Sequence, residues 1–138
     1  MKYITLVLLA ICGCLHAEEP EEKLDFQKLF DERIEYQAKQ TKQYVDEAEG
    51  YELKKTEEEA GKIYVAVLKH SKESKDIKLQ YLTLKTEYLF DINHFLGEAE
   101  HGPGAEKLSA RAKLMKARER LKLVETLYKQ MLEKKKEK

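Results

Sequence analysis

The sequence lacks tryptophan and has only two cysteines, two prolines and six glycines among its 138 residues. So little glycine and proline, with an aromatic content of 9%, argues against a β-sandwich or barrel, whose many turns and strands use these residues. Neither positive nor negative charge is in excess, because 26 Lys and Arg balance 26 Asp and Glu. A nucleic-acid-binding protein needs a cationic excess, so that function class is excluded. The many Ala, Leu, Glu and Lys residues favour an all-α chain of one small domain.

The N-terminus carries a pattern typical of a bacterial signal peptide. Lys2 precedes an unbroken apolar run over residues 3–11, which is too short for a permanent membrane span. We expect residues 1–17 to be a signal peptide that is cleaved after Ala17. Lipoprotein processing is the alternative, with Cys14 as the lipidated first residue. Both routes predict export, either to the periplasm or medium or to a lipid-anchored place in the envelope.

Two further segments follow the signal peptide. Residues 18–24 are acidic and almost free of apolar side chains, which predicts a disordered lead. Residues 25–138 form the predicted helical domain. Both cysteines of the chain lie in or at the edge of the signal peptide, so burial alone must hold this domain together.

Apolar residues recur at helical spacing in three long stretches, which predicts a small bundle of three main helices. The first stretch starts at Phe26 and changes phase at Gly50, where either one helix bends or two helices meet. Because a glycine inside a helix costs only about 1 kcal/mol, we expect one long helix with a bend at Gly50. A polar turn is predicted over residues 70–75, and Gly97 is expected to end the second helix before a loop over residues 98–105.

The second predicted helix has the widest apolar face, so we expect it to lie between the other two and to pack on both. The last helix has a heptad-like seam from Ala110 to Met131. The predicted core includes Tyr64, Leu84, Tyr88, Leu121 and Val124.

One set of side chains has metal-ligand chemistry at helical spacing: Glu87, Asp91, His94, Glu98 and His101. They would share one side of a helix if that helix reached His101, but Gly97 is expected to end it earlier. We therefore assign no metal ligand and interpret the set as a solvated helix face. After residue 17 the chain has no cysteine, and it has neither a nucleophile elbow nor a phosphate-binding loop. The sequence therefore predicts no catalytic residue and no cofactor.

The segment from Thr41 to Tyr64 resembles the LprI-like family of exported bacterial proteins, whose members include lysozyme inhibitors. The residues at the family's spacings are Thr41, Val45, Ala48, Thr56, Glu57, Ala60, Gly61 and Tyr64. Lys85 to Tyr88, the glycine-containing loop from Gly97 to Gly104 and Arg118 to Leu121 follow in the family's order. The family's cysteines are absent here, and Ala48 stands at one of their sites.

The resemblance implies an exported, non-enzymatic protein-binding module that inhibits lysozyme-type cell-wall hydrolases. The acidic run from Glu57 to Glu59 is a candidate contact for a basic lysozyme. A different hypothesis is a structural envelope protein that associates weakly with itself through the seam of the last helix. A third is metal binding through the region of His94 and His101.

Overall fold

The computed structural model describes residues 23–137, which form four α-helices and no strand. The helices are α1 (Phe26–Glu47), α2 (Tyr51–Glu73), α3 (Ile77–His101) and α4 (Gly104–Lys136). The all-α prediction is confirmed for this part of the chain, whereas the prediction of three main helices is wrong. The predicted signal peptide, and residues 18–22 of the predicted acidic lead, lie outside the described residues.

Gly50 separates two helices and does not bend one. Its backbone has φ +90°, a left-handed conformation that side chains with a Cβ rarely adopt. Ala48 is extended, and it closes α1 with a backbone N–H bond to Tyr44 O. The chain therefore reverses direction here, and α2 runs back along α1.

A close helix contact fixes the pairing of α1 and α2. Gly61 of α2 lies directly against Thr41 of α1, and a Cβ built at Gly61 would come within 2.8 Å of the Thr41 Cβ. Nearer the other end of the pair, Gln27 Nε2 donates to Lys72 O at 3.1 Å and Lys72 Nζ binds Asp31 Oδ1 at 2.5 Å. The two helices are thus joined along most of their length.

The other helix boundaries also differ from the predicted ones. Helix α2 continues to Glu73, so the turn is shorter than predicted and covers residues 74–76. Asp76 ends the turn by capping α3, since its side chain accepts a hydrogen bond from Lys78 N at 3.0 Å. Gly97 does not end α3, which continues to His101. The break falls at Gly102 and Pro103, since a proline lacks the helical N–H and keeps the residue before it extended.

The core lies where α1, α3 and α4 meet. Its fully buried members are Phe26, Leu29 and Phe30 of α1, Leu84 and Tyr88 of α3, and Val124 of α4. The rings of Tyr81 and Tyr128 stack beside it, with centroids 4.0 Å apart. Helix α4 packs along α3, and α3 also contacts α1 and α2.

Three of the predicted core residues, Leu84, Tyr88 and Val124, are confirmed as buried. Leu121 is partly buried and packs against the core cluster. Tyr64 is wrongly predicted, since 39% of it is exposed. The reason is that α2 packs on α1 through the side of Gly61 and leaves the side of Tyr64 open.

Among residues 23–137, no helix combines the length and the apolar character needed to cross a bilayer.

We expect Gly61→Ala to destabilise the protein, because the new methyl group collides with Thr41 and forces α1 and α2 apart. Overpacking of this kind costs about 1–3 kcal/mol, more than the roughly 1 kcal/mol that alanine contributes to helix propensity. Gly97→Ala is the matched control, because a Cβ at Gly97 meets no atom within 4 Å, and it should stabilise α3. Urea unfolding measures both changes. A Gly61→Ala variant as stable as Gly97→Ala would contradict the close contact.

Candidate functional site

A buried arginine joins α1 to α3. Only 6% of Arg33 is exposed. Its Nη2 donates a hydrogen bond to Glu87 Oε2 at 2.7 Å, and its Nη1 donates one to Asp91 Oδ2 at 2.5 Å. Glu87 and Asp91 are four residues apart on α3, so both carboxylates lie on the same helix face. One cation therefore bridges two anions in the interior.

The surroundings of Arg33 explain how its charge is tolerated. Its Cζ lies 4.6 Å from the ring centroid of Tyr36 and 5.3 Å from that of Tyr88, so aromatic rings add cation–π attraction. Burial acts to lower the pKa of Arg33, but the hydrogen bonds and charges of Asp91 and Glu87 outweigh it, and the pKa is raised. Arg33 therefore remains a cation at any pH at which the protein is folded.

A polar cleft of about 530 Å³ opens beside this ion-pair cluster. It lies between α1 and α3, with Tyr64 of α2 and Lys113 of α4 at its border. Besides Arg33, Glu87 and Asp91, its main lining residues are Tyr36, Gln37, Gln40, Gln43, Tyr44, Phe90, His94 and Glu98. Rings, amides and carboxylates in one cleft can pack against and hydrogen-bond a peptide or another polar ligand.

An apolar groove of about 450 Å³ lies next to the cleft, between α2 and α3. It is lined by Ala60, Ile63, Tyr64, Val67 and Leu68 of α2 and by Leu82, Thr83, Thr86 and Glu87 of α3. Ile63 is 66% exposed and Val67 is 55% exposed. Tyr64 and Glu87 belong to both the groove and the cleft, so the two form one continuous surface.

Tyr64 marks the junction of groove and cleft. Partial burial and the negative charge of Glu87 raise the pKa of its phenol to about 12. The phenol therefore keeps its proton beside Glu87.

The five side chains with metal-ligand chemistry do not come together at one site. Helix α3 reaches His101, so the condition of one continuous helix is met, but Glu87 and Asp91 turn inward to Arg33. His94 Nε2 pairs with Glu98 Oε1 at 3.0 Å, and the exposed His101 lies 3.8 Å from Glu100. Within residues 23–137, no three His, Cys, Asp or Glu side chains are grouped as a metal site would require.

The three glutamates of the acidic run on α2 have different surroundings. Glu57 is half-buried, Glu58 pairs with Lys62 at 3.3 Å, and Glu59 is exposed. Glu59 precedes Ile63 by one helical turn, but it is not among the residues that line the apolar groove.

Sequence reasoning missed Arg33. Its burial could have been predicted from its position on the apolar side of α1. Arg33 comes three residues after Phe30, seven after Phe26 and one before Ile34. A buried arginine needs a carboxylate partner, and the acids within the apolar stripe of α3 were the candidates.

Comparisons of the chain with protein-family models, with curated protein sequences and with solved structures found no match. The resemblance to the LprI-like family therefore stays a prediction.

We expect Arg33→Met to destabilise the protein by about 3–5 kcal/mol, because it leaves the buried Glu87 and the half-buried Asp91 without their cation. The triple variant Arg33→Met, Glu87→Gln, Asp91→Asn lacks all three charges and should recover most of the lost free energy of unfolding. Lys39→Met removes an exposed ion pair with Glu35 and should change the free energy of unfolding by less than about 0.5 kcal/mol. Urea unfolding of the four proteins tests this, and an Arg33→Met variant as stable as Lys39→Met would contradict it.

Tyr64 should ionise near pH 12 and not near its ordinary value of 10. Since its pKa is raised in the folded protein, its contribution to stability is present below pH 10 and is lost as the pH rises towards 12. The tyrosinate absorbance of the native protein, followed against pH and compared with that of Tyr64→Phe, isolates this group. A difference curve with its midpoint near pH 10 would show that Tyr64 is neither desolvated nor close to Glu87.

Proposed function

We propose that the protein is an exported, non-enzymatic protein-binding module and that lysozyme-type cell-wall hydrolases are its partners. The N-terminal pattern of residues 1–17 supports export, with the product either free in the periplasm or medium or lipid-anchored at Cys14. The observation that carries the binding function is the open apolar groove between α2 and α3. Exposed apolar patches larger than a few hundred Å² commonly mark interaction sites, and the neighbouring apolar side chains of this groove offer a surface of that kind.

The groove has the features of a protein-binding site. Ile63 and Val67 offer exposed apolar anchors, and the partly exposed Tyr64 adds an aromatic ring. Interface energy is concentrated in a few such residues, surrounded by a polar rim. Here the adjoining polar cleft forms such a rim.

The charge of this rim suits a basic partner. Glu98 is exposed and lines the cleft, and Glu59 is exposed on α2 one turn before Ile63, whereas among the described residues the cleft border has one cation, Lys113. Acidic rim residues would steer a basic hydrolase to the surface and speed its association. Such a partner would be inhibited when the bound module covers its substrate cleft.

The proposal predicts that inhibition of lysozyme is stoichiometric. Activity should fall in proportion to the molar ratio of added protein and reach its minimum near equivalence, because an occluding protein does not turn over. Ile63→Asp should weaken this effect at least tenfold by placing a charge in the apolar contact. Leu108→Asp is the matched control, since Leu108 is 68% exposed on α4, away from the groove.

Two results would contradict the proposal. Full inhibition at a small fraction of equivalence would indicate an enzyme. Equal inhibition by the wild-type protein and Ile63→Asp would show that the groove is not the contact. If lysozyme is unaffected at large molar excess, the partner class is wrong, and capture of envelope proteins that is lost in Ile63→Asp but kept in Leu108→Asp then tests the binding module itself.

A further inference from the structure

A second exposed apolar surface follows the outer side of α3. Leu82, Leu89 and Leu96 recur every seven residues and are 46%, 45% and 37% exposed. The outer seam, as we define it, consists of Leu79, Leu82, Thr86, Leu89, Asn93 and Leu96, all of which are exposed. The opposite face of the same helix packs into the core through Leu84, Tyr88 and Phe95.

The spacing along the outer seam is that of a coiled coil. Its residues alternate in steps of three and four, so the three leucines occupy d positions while Leu79, Thr86 and Asn93 occupy a positions. This pattern indicates a second helix lying along α3 on its outer side.

Helix α4 of the same chain cannot be the helix that covers the outer seam of α3. Its own heptad seam was the expected site of self-association, but Ala110, Leu114, Ala117 and Val124 are buried within the chain. The residues that face outward on α4, such as Met115, lie on the opposite side of that helix from this buried seam. Among residues 23–137, the outer seam of α3 is therefore not covered.

The charges at the two ends of the outer seam are of opposite sign. Lys78 is exposed near its start and Glu100 near its end. The helix ends themselves are matched to the helix dipole, because Asp76 caps the N-terminus and His101 lies in the last turn. Lys78 and Glu100 are therefore available for charges outside their own helix. A second α3 running in the opposite direction would place a glutamate beside each lysine.

We propose that a second copy of this chain covers the outer seam, with its α3 antiparallel to the first α3 about a two-fold axis near Leu89. Leu82 and Leu96 are each seven residues from Leu89, so Leu82 of one copy meets Leu96 of the other. Lys78 and Glu100 are each eleven residues from Leu89, so each lysine meets a glutamate. Parallel pairing would instead place like charges together at both ends. The contact is isologous, as in most homodimers.

The first test is the molecular mass of the exported protein by sedimentation equilibrium over a wide concentration range. We expect a monomer–dimer equilibrium that Leu89→Glu weakens at least tenfold and that Leu108→Glu, on the outward face of α4, leaves unchanged. A monomer at every concentration up to the solubility limit overturns the proposal. So does a dimer that Leu89→Glu does not weaken.

Charge reversal tests the antiparallel direction. Lys78→Glu and Glu100→Lys should each weaken the dimer about two- to tenfold, since each alters two symmetry-related pairs, and the double variant should restore it. Each single reversal improves the match of charge and dipole within the monomer, so thermal unfolding at low concentration should show no loss of stability. Unchanged dimerisation in both single variants overturns the antiparallel arrangement.

The same variants separate this proposal from the proposed function. With no partner present, Ile63→Asp should weaken dimerisation far less than Leu89→Glu does, because Ile63 lies on α2 and lines the groove only at the edge of the outer seam. If the chain is monomeric and Leu89→Glu instead prevents capture of a different protein, that protein covers the seam and the self-association proposal is wrong.

Discussion

The ion-pair cluster of Arg33, Glu87 and Asp91 is the constraint on which the rest of the molecule depends. Arg33 and Glu87 are buried and Asp91 is half-buried, and a buried ion that loses its partner is strongly destabilising. A displacement of α1 along α3 by one turn would separate Arg33 from both carboxylates and leave Glu87 buried without a partner. The cluster therefore sets the register of α1 on α3, and the groove and the cleft are formed from helices held in that register.

Helical periodicity was sufficient to predict much of the fold. It predicted an all-α chain and a core that includes Leu84, Tyr88 and Val124, because these residues occupy one stripe of each helix. It failed at Gly50, where the local cost of a glycine is about 1 kcal/mol and both outcomes are compatible with the local sequence. The reversal there is stabilised by the contact of Gly61 with Thr41 and by Lys72 with Asp31. Those pairs are distant in sequence, so no local pattern shows them.

The candidate site was less predictable for a related reason. The spacing of Glu87, Asp91, His94 and Glu98 places them on one side of a helix, but it does not show which neighbour faces each residue. In the folded chain Arg33 takes the first two, while His94 pairs with Glu98 along the helix. A residue set chosen for metal chemistry thus turned out to contain the partners of a buried cation. Helix α3 is also longer than predicted, because the helix formers on both sides of Gly97 outweigh the local cost of a glycine.

A stripe of apolar residues shows that a helix has a surface to bury, but not whether the chain itself buries it. Helix α2 carries Ile63 and Val67 outward, and α3 carries two stripes, of which one forms the core and the other is exposed. Leu82 belongs both to the apolar groove and to the outer seam. A second copy bound along the seam would cover part of the groove, since one side chain cannot contact two occupants at once. The two proposed surfaces are therefore thermodynamically linked, and partner binding and self-association each reduce the affinity for the other.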